Sequence, residues 1–271
     1  KVHPLIAMIT ACCIAGILGG LTVEQTLDSI TRGFGNTLAS IGIVIGLGVM
    51  MGRVLEVSGA AAQIADSFIR LLGKGKEAAA LAMTGYFVSI PIFVDSAFVI
   101  LFPIAKALSQ NSKRSLLALG VALAGGLVVT HTTVPPTPGP LAAAGIFGVD
   151  VGAMMLLGMV LAIPCVTAIL FYVFWLERRY PDFNDTPAEA SEEDTDTERA
   201  SGAERPMPGV VRSWMPIVVP IALIFLKALT GLFPDIAANS RGVTSFFTNL
   251  ILLAGTPIIA LSIGTLLAVY T

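Results

Sequence analysis

The stretch Val129-Thr130-His131-Thr132-Thr133-Val134-Pro135-Pro136-Thr137-Pro138-Gly139-Pro140 interrupts an apolar run that extends from Leu116 to Gly148. Four prolines in six residues remove backbone donors and forbid helix, while Gly139 lets another backbone or a ligand come close. Hydrocarbon satisfies no free N–H or C=O, so irregular backbone at membrane depth survives only where protein or a water-filled cavity covers it. A polar break inside a span therefore points to a place where a membrane protein binds its solute.

The membrane assignment rests on composition. Hydrophobic residues make up 55% of the chain, charged residues 13%, and the mean hydropathy is +0.85, outside the range of soluble domains. The runs long enough to approach a roughly 30 Å crossing are His3–Leu21, Asn36–Met51, Leu116–Gly148 with its interruption, Val151–Leu176, Trp214–Phe233 and Phe246–Thr271. The first run also has the basic start and small residues of a secretory signal, but further spans follow it without a cleavage site or a soluble domain. The chain opens at Lys1 without a methionine and stops inside an apolar run, so it reads as an excerpt of a longer protein. Cys12, Cys13 and Cys165 lie in apolar helices without metal or disulfide spacing and read as small hydrophobes.

Ala78–Leu108 is 31 residues long, apolar, and broken at Ser89-Ile90-Pro91 and Asp95-Ser96. Two full spans with a turn need roughly 45 residues, so two half-helices meeting at mid-membrane fit better, as a re-entrant hairpin. Both feet are basic, Lys74 and Lys76 on one side and Lys106, Lys113 and Arg114 on the other, as expected of a hairpin resting on the cytoplasmic face. Threading the other runs from it puts Lys1, Arg53, Arg70, Arg178, Arg179, Arg199, Arg205 and Arg212 inside as well. Arg32 and Arg241 fall outside and Lys227 within a span.

Nine of the 18 acidic residues sit in Asp182–Arg205 with two arginines, giving that segment about −7 and the rest about +5. Such a loop buries too little apolar surface to offset chain entropy and reads as a disordered cytoplasmic linker, with regulatory docking as the alternative. Val54–Leu72 aligns Val54, Val57, Ala61, Ile64, Phe68, Leu71 and Leu72 on one face, as an interfacial helix does. Gly16…Gly20, Gly42…Gly46 and Gly48…Gly52 have the spacing of close helix contacts.

Two segments are candidate halves of a site. At the hairpin tip, Ser89-Ile90-Pro91-Ile92-Phe93-Val94-Asp95-Ser96 places an aspartate where ionisation costs about 3 kcal/mol on the mildest scale. Asp95 either serves a solute or caps the second half-helix, and the two roles are compatible. The second segment is Thr130–Pro140, after which Leu141–Phe147 begins a short half-helix whose N-terminal amides and dipole suit a carboxylate. The alternative, an ordinary extracellular loop, leaves Leu141–Gly148 too short to return and moves Arg178 and Arg179 to the wrong side. His131 has no acidic neighbours in sequence, which favours a hydrogen-bonding or protonatable role over metal ligation. Lys227 is close enough to its helix end to snorkel, and Glu56 and Asp150 sit at span boundaries.

A re-entrant hairpin followed by a broken helix is the repeating half of several secondary transporters, completed by an inverted second copy. The runs Pro91–Phe98, His131–Pro140 and Gly145-Ile146-Phe147-Gly148-Val149-Asp150-Val151-Gly152 together resemble the gluconate permease family of proton symporters, within the ion-transporter superfamily. The resemblance covers most of Ile41–Glu177, the N-terminal and central part of such a protein. It implies gluconate or a related hydrophilic carboxylate as substrate, since relatives carry other sugar acids and D-serine.

On this resemblance the fold is an all-α polytopic membrane protein, half of an inverted-repeat carrier in the cytoplasmic (inner) membrane. Residues 1–77 form scaffold and interfacial helices, 78–149 the transport core, 150–181 a transmembrane helix, 182–213 the acidic loop and 214–271 the truncated start of a second repeat. Asp95, Ser96, His131, Thr132, Thr133, Thr137 and Gly139 bind the anion, with Asp95 or His131 carrying the coupled proton. The core moves against the first two spans. No cofactor, metal or nucleic acid is expected; the partners are the carboxylate and the bilayer, with a homodimer as a family-level expectation. The rivals are a sodium-coupled carboxylate or dicarboxylate carrier, a membrane-embedded hydrolase using Asp95 and His131, disfavoured by the lack of a second acid or a metal cluster in the spans, and a purely structural subunit.

Overall fold

The computed structural model describes residues 3–112, 114–179, 208–232 and 243–271, and every regular element among them is a helix. The acidic loop and the expectations placed on Lys1, Lys113 and Arg241 lie outside the described residues. In chain order the helices are α1 Pro4–Leu18, α2 Val23–Val57, α3 Ala60–Leu72, α4 Glu77–Val88, α5 Val94–Ser112, α6 Leu116–Thr133, α7 Pro138–Phe147, α8 Val151–Arg179, α9 Val210–Leu232, α10 Val243–Ala254 and α11 Pro257–Val269. Among the described residues three helical stretches are long and apolar enough to cross a membrane: Leu116–Phe147, which contains the break, Val151–Arg179 and Val210–Thr230. The chain is an all-α polytopic membrane protein.

The chain forms two units, Lys1–Ile43 and Val44–Thr271. In the first, α1 is 15 residues long, short of a full crossing, and Gly16 lies against Thr26 of α2, where an added Cβ would meet Thr26 Cγ2 at 2.5 Å. Gly20, at φ 89°, makes the turn between the two helices.

In the second unit α4 and α6 form the centre, flanked by α3, α5 and α8, with α9 packed on α3 and α11. The helices approach through glycine. A Cβ on Gly85 of α4 would lie 2.7 Å from the Leu123 carbonyl oxygen, and one on Gly126 of α6 would collide with the Ala82 carbonyl. Helices in lipid gain no hydrophobic drive from each other, so close backbone contact is what holds them. Of the glycines singled out by spacing, Gly52 makes such a contact in this unit, where an added Cβ would lie 2.6 Å from Pro91 O, whereas Gly46 and Gly48 face open space.

Helix α3 follows a left-handed Gly59 (φ 77°) and buries Ala61, Ile64 and Phe68, three of the residues expected on its apolar face. Leu71, expected there too, is 78% exposed, and Gln63 is buried in its place. This helix packs against α4, α5 and α9, where Phe68 meets Phe87 and Trp214 with ring centroids 5.5 and 5.3 Å apart.

Several boundaries differ from the sequence reading. Val54–Leu72 is not one helix, because α2 runs to Val57 and α3 begins at Ala60 after left-handed Gly59. The last apolar run is not one span: Gly255-Thr256 breaks it, with Thr256 at the N-cap and Pro257 at the first position of α11, where a missing N–H costs nothing. The second arm of the hairpin, α5, is 19 residues long, beyond a half-helix, and continues through Pro103 to Ser112.

Candidate functional site

The hairpin breaks over Ser89–Phe93, between α4 and α5. Helix α4 ends at Ser89, whose N–H donates to Gly85 O, and the chain turns through Ile90-Pro91-Ile92 with Ile92 N donating to Val88 O. Asp95 and Ser96 fall in the first turn of α5 and are exposed. Asp95 accepts no hydrogen bond among the described residues, so it does not cap α5.

The second break is shorter than the proline count implied. Helix α6 continues through Thr133, so His131, Thr132 and Thr133 form its last turn, and only Val134–Thr137 is irregular. The cause is local: the residue before a proline is pushed out of the α region, and Val134, at φ −113° and ψ 119°, is that residue. The Pro135–Pro136 peptide is cis. Helix α7 starts at Pro138, three residues before the predicted Leu141, with Thr137 at its N-cap and left-handed Gly148 (φ 64°) ending it. Pro138 and Pro140 carry no N–H and Leu141 N bonds to Thr137 O, which leaves Gly139 as the free amide of the first turn. Gly139 is exposed, with nothing within 4 Å of its Cβ position.

The two breaks meet. The Phe93 and His131 rings lie 5.5 Å apart, and a small cavity of about 10 Å³, room for a single water centre, is lined by Gly48, Pro91, Phe93, His131, Pro136 and Thr137 among others. Asp95 lies two residues beyond Phe93, in the first turn of α5. The structure thus brings together Phe93, His131, Thr137 and the start of α7.

The three threonines are less available than their sequence implied. Thr132 Oγ1 donates to the Val128 or Val129 carbonyl (2.8 and 3.1 Å), Thr133 Oγ1 to Val129 O (2.7 Å) and Thr137 Oγ1 to Val134 O (2.7 Å). Each keeps only acceptor capacity. Thr133 presents its carbonyl to Gly158 of α8, where a Cβ would collide with it. Sequence reasoning assigned no role to Ser89 and Thr130. Both are fully buried, and, like His131 Nδ1, their hydroxyls have no hydrogen-bond partner among the described residues. Their place beside the breaks was readable; the orientation of their hydroxyls was not.

At the base of the hairpin Arg114 is held in a clamp. Its Nε lies 3.3 Å from Glu77 Oε2, its Nη1 3.3 Å from Glu177 Oε2, and its Nη2 donates to Gly75 O at 2.7 Å. Glu77 completes the loop by accepting from Gly75 N at 2.8 Å. No group of three or more His, Cys, Asp or Glu among the described residues could hold a metal ion.

A family model described as GntP family permease matches residues 1–271. An uncharacterized permease of Haemophilus influenzae is 55% identical over 273 residues, covering 100% of this chain and 56% of its own length. The gluconate permease of Pseudomonas aeruginosa is 34% identical over 272 residues (100% and 58%), and the inner membrane permease YgbN of Escherichia coli 32% identical over 274 residues (99% and 58%). The chain therefore spans a little over half the length of the curated relatives it matches. No solved structure matches it. The match along its whole length makes the chain a member of the GntP permease family, a family of transporters and not of enzymes.

Proposed function

We propose that this chain forms the N-terminal and central part of a secondary carrier that imports gluconate or a related hydrophilic carboxylate across the inner membrane by proton symport. The observation that carries the reading is the meeting of two broken helices at one cavity, with Phe93 and His131 in its wall and exposed Asp95 two residues along the chain from Phe93, in a chain of a permease family. The relatives named for gluconate and for the inner membrane support the substrate class and the compartment.

The roles follow from chemistry. The exposed amide of Gly139 at the positive end of α7 receives the carboxylate, and Thr132 and Thr137 offer lone pairs to substrate hydroxyls. Ser96, exposed in the first turn of α5, offers a further hydroxyl, and Thr133, whose carbonyl faces α8, supports the end of α6. Asp95 or His131 carries the proton. One proton with one monoanion moves no net charge, so the membrane potential adds nothing and each pH unit supplies about 1.4 kcal/mol. The cavity is too small for a sugar acid, so loading requires the tip to move; α4–α7 form the moving core and the helices before them the scaffold.

Uptake of labelled gluconate by the intact protein in cells lacking their own carriers, with and without a protonophore, tests this. Abolition by the protonophore is expected. Uptake that persists with the protonophore and depends on sodium would replace the proton by sodium, and an absence of gluconate uptake would move the search to other carboxylates.

A further inference from the structure

Helical serines and threonines in this protein usually return their hydroxyl proton to the carbonyl four residues back. Thr84 does so to Ala80 O, Thr133 to Val129 O, Thr167 to Ile163 O and Thr265 to Leu261 O, all at 2.7–2.8 Å. Ser89 and Thr130 do not. Both are 0% exposed, and neither Ser89 Oγ nor Thr130 Oγ1 has a hydrogen-bond partner among the described residues. Buried hydroxyls that forgo an available local bond are exceptions that call for a ligand or a strained role.

Their placement gives them a common target. Arg114, just before α6, donates to Gly75 O, just before α4, while Phe93, beyond the end of α4, meets His131 near the end of α6; the two helices therefore run parallel. They touch where Gly85 faces the backbone from Leu123 to Leu127 and Gly126 faces Ala82. Ser89 and Thr130 lie four residues beyond those glycines, one turn further on the same faces, so the two hydroxyls look into one interface. Each directly precedes a residue of the cavity wall, Ile90 in one case and His131 in the other.

We propose that Ser89 and Thr130 form a polyol subsite: when the Ile90–Phe93 tip lifts from Gly52, the hydroxyl groups of the substrate chain dock on this pair while its carboxylate stays at the α7 end. The proposal rests on the sugar-acid reading above. A hydroxyl both donates and accepts, which matches a ligand bearing several hydroxyls better than an anion alone. Closed, the pair is buried and unpaired among the described residues; open, it discriminates a hydroxylated acid from a plain one.

The test is labelled gluconate uptake by the intact protein carrying Ser89→Ala, Thr130→Val or Thr130→Ser, with the thermal midpoint of each purified variant. Ser89→Ala and Thr130→Val are expected to raise KM about three- to tenfold with kcat within twofold and an unchanged midpoint, while Thr130→Ser stays near wild type. Hexanoate, which has the carboxylate and no hydroxyls, is expected to compete equally in all. Unchanged KM in both variants, or losses that track a lowered midpoint, would assign the hydroxyls to structure and overturn the subsite. If the wild type takes up no gluconate, the substrate reading fails by itself, and thermal shifts by a series of sugar acids decide the subsite: a shift that the two variants lose keeps it, and no hydroxyl-dependent shift removes it.

Discussion

Arg114 and Glu177 are 63 residues apart in sequence and 3.3 Å apart in space, so the turn into α6 is tied to the last turn of α8. The same guanidinium holds buried Glu77 at the start of α4 and the Gly75 carbonyl. Higher up, Tyr86 Oη of α4 donates to Met159 O of α8 at 2.9 Å, and Gly158 receives the Thr133 carbonyl at the end of α6. Helix α8 is therefore fastened to the helices of the two breaks at two levels, at their base through Glu177 and near the breaks through Gly158 and Met159.

Loss of the clamp should be costly. Arg114→Ala leaves Glu77, 6% exposed, with a buried carboxylate whose counter-charge has gone, a change of about 3 kcal/mol in comparable buried pairs. Arg114→Lys keeps the charge but not the fork that reaches two carboxylates and a carbonyl, and should fall between. Thermal midpoints of the purified proteins check this; a midpoint for Arg114→Ala within a degree of wild type would show that the pair contributes little.

Glycine substitutions should separate sharply by place. A methyl on Gly158 or Gly126 runs into a backbone carbonyl of another segment, which moves only with its helix, so each Ala variant should lose about 2 kcal/mol or more and express poorly. Gly48→Ala meets nothing within 4 Å and should stay within about 0.5 kcal/mol. Equal midpoints for Gly158→Ala and Gly48→Ala would contradict the packing.

Tyr86→Phe removes one interhelical hydrogen bond and little volume. Its expected cost is about 1 kcal/mol, read as a small drop in midpoint with folding preserved. A drop as large as that of Arg114→Ala would mean that Tyr86 does more than this bond.

Both breaks at the site were legible because proline and buried polar residues mark them locally: Ser89-Ile90-Pro91 and the proline run after Val134 each lie where the structure bends. The error at His131–Thr133 came from counting polar residues as irregular, although the proline effect reaches back only to Val134. Gly255-Thr256-Pro257 was equally readable as a helix stop and start, but an unbroken apolar composition masked it. Arg114 read as one more cytoplasmic charge, because a pairing with Glu77 and Glu177 depends on how distant helices cross. The state of the Ser89 and Thr130 hydroxyls depends on rotamers that no local pattern specifies.

Proton coupling can be divided from transport itself at Asp95. The side chain is exposed and makes no hydrogen bond among the described residues, so Asp95→Asn should leave the thermal midpoint unchanged. If Asp95 carries the coupled proton, the variant binds substrate in a permanently neutral state. It should then lose uphill uptake driven by a pH gradient at least tenfold while retaining exchange of labelled for unlabelled gluconate across vesicles. His131→Gln is the paired control, since the imidazole faces Phe93 and the cavity. Loss of uphill uptake with retained exchange in His131→Gln alone would move the proton to the histidine, and loss of both activities in Asp95→Asn would make Asp95 a substrate ligand instead.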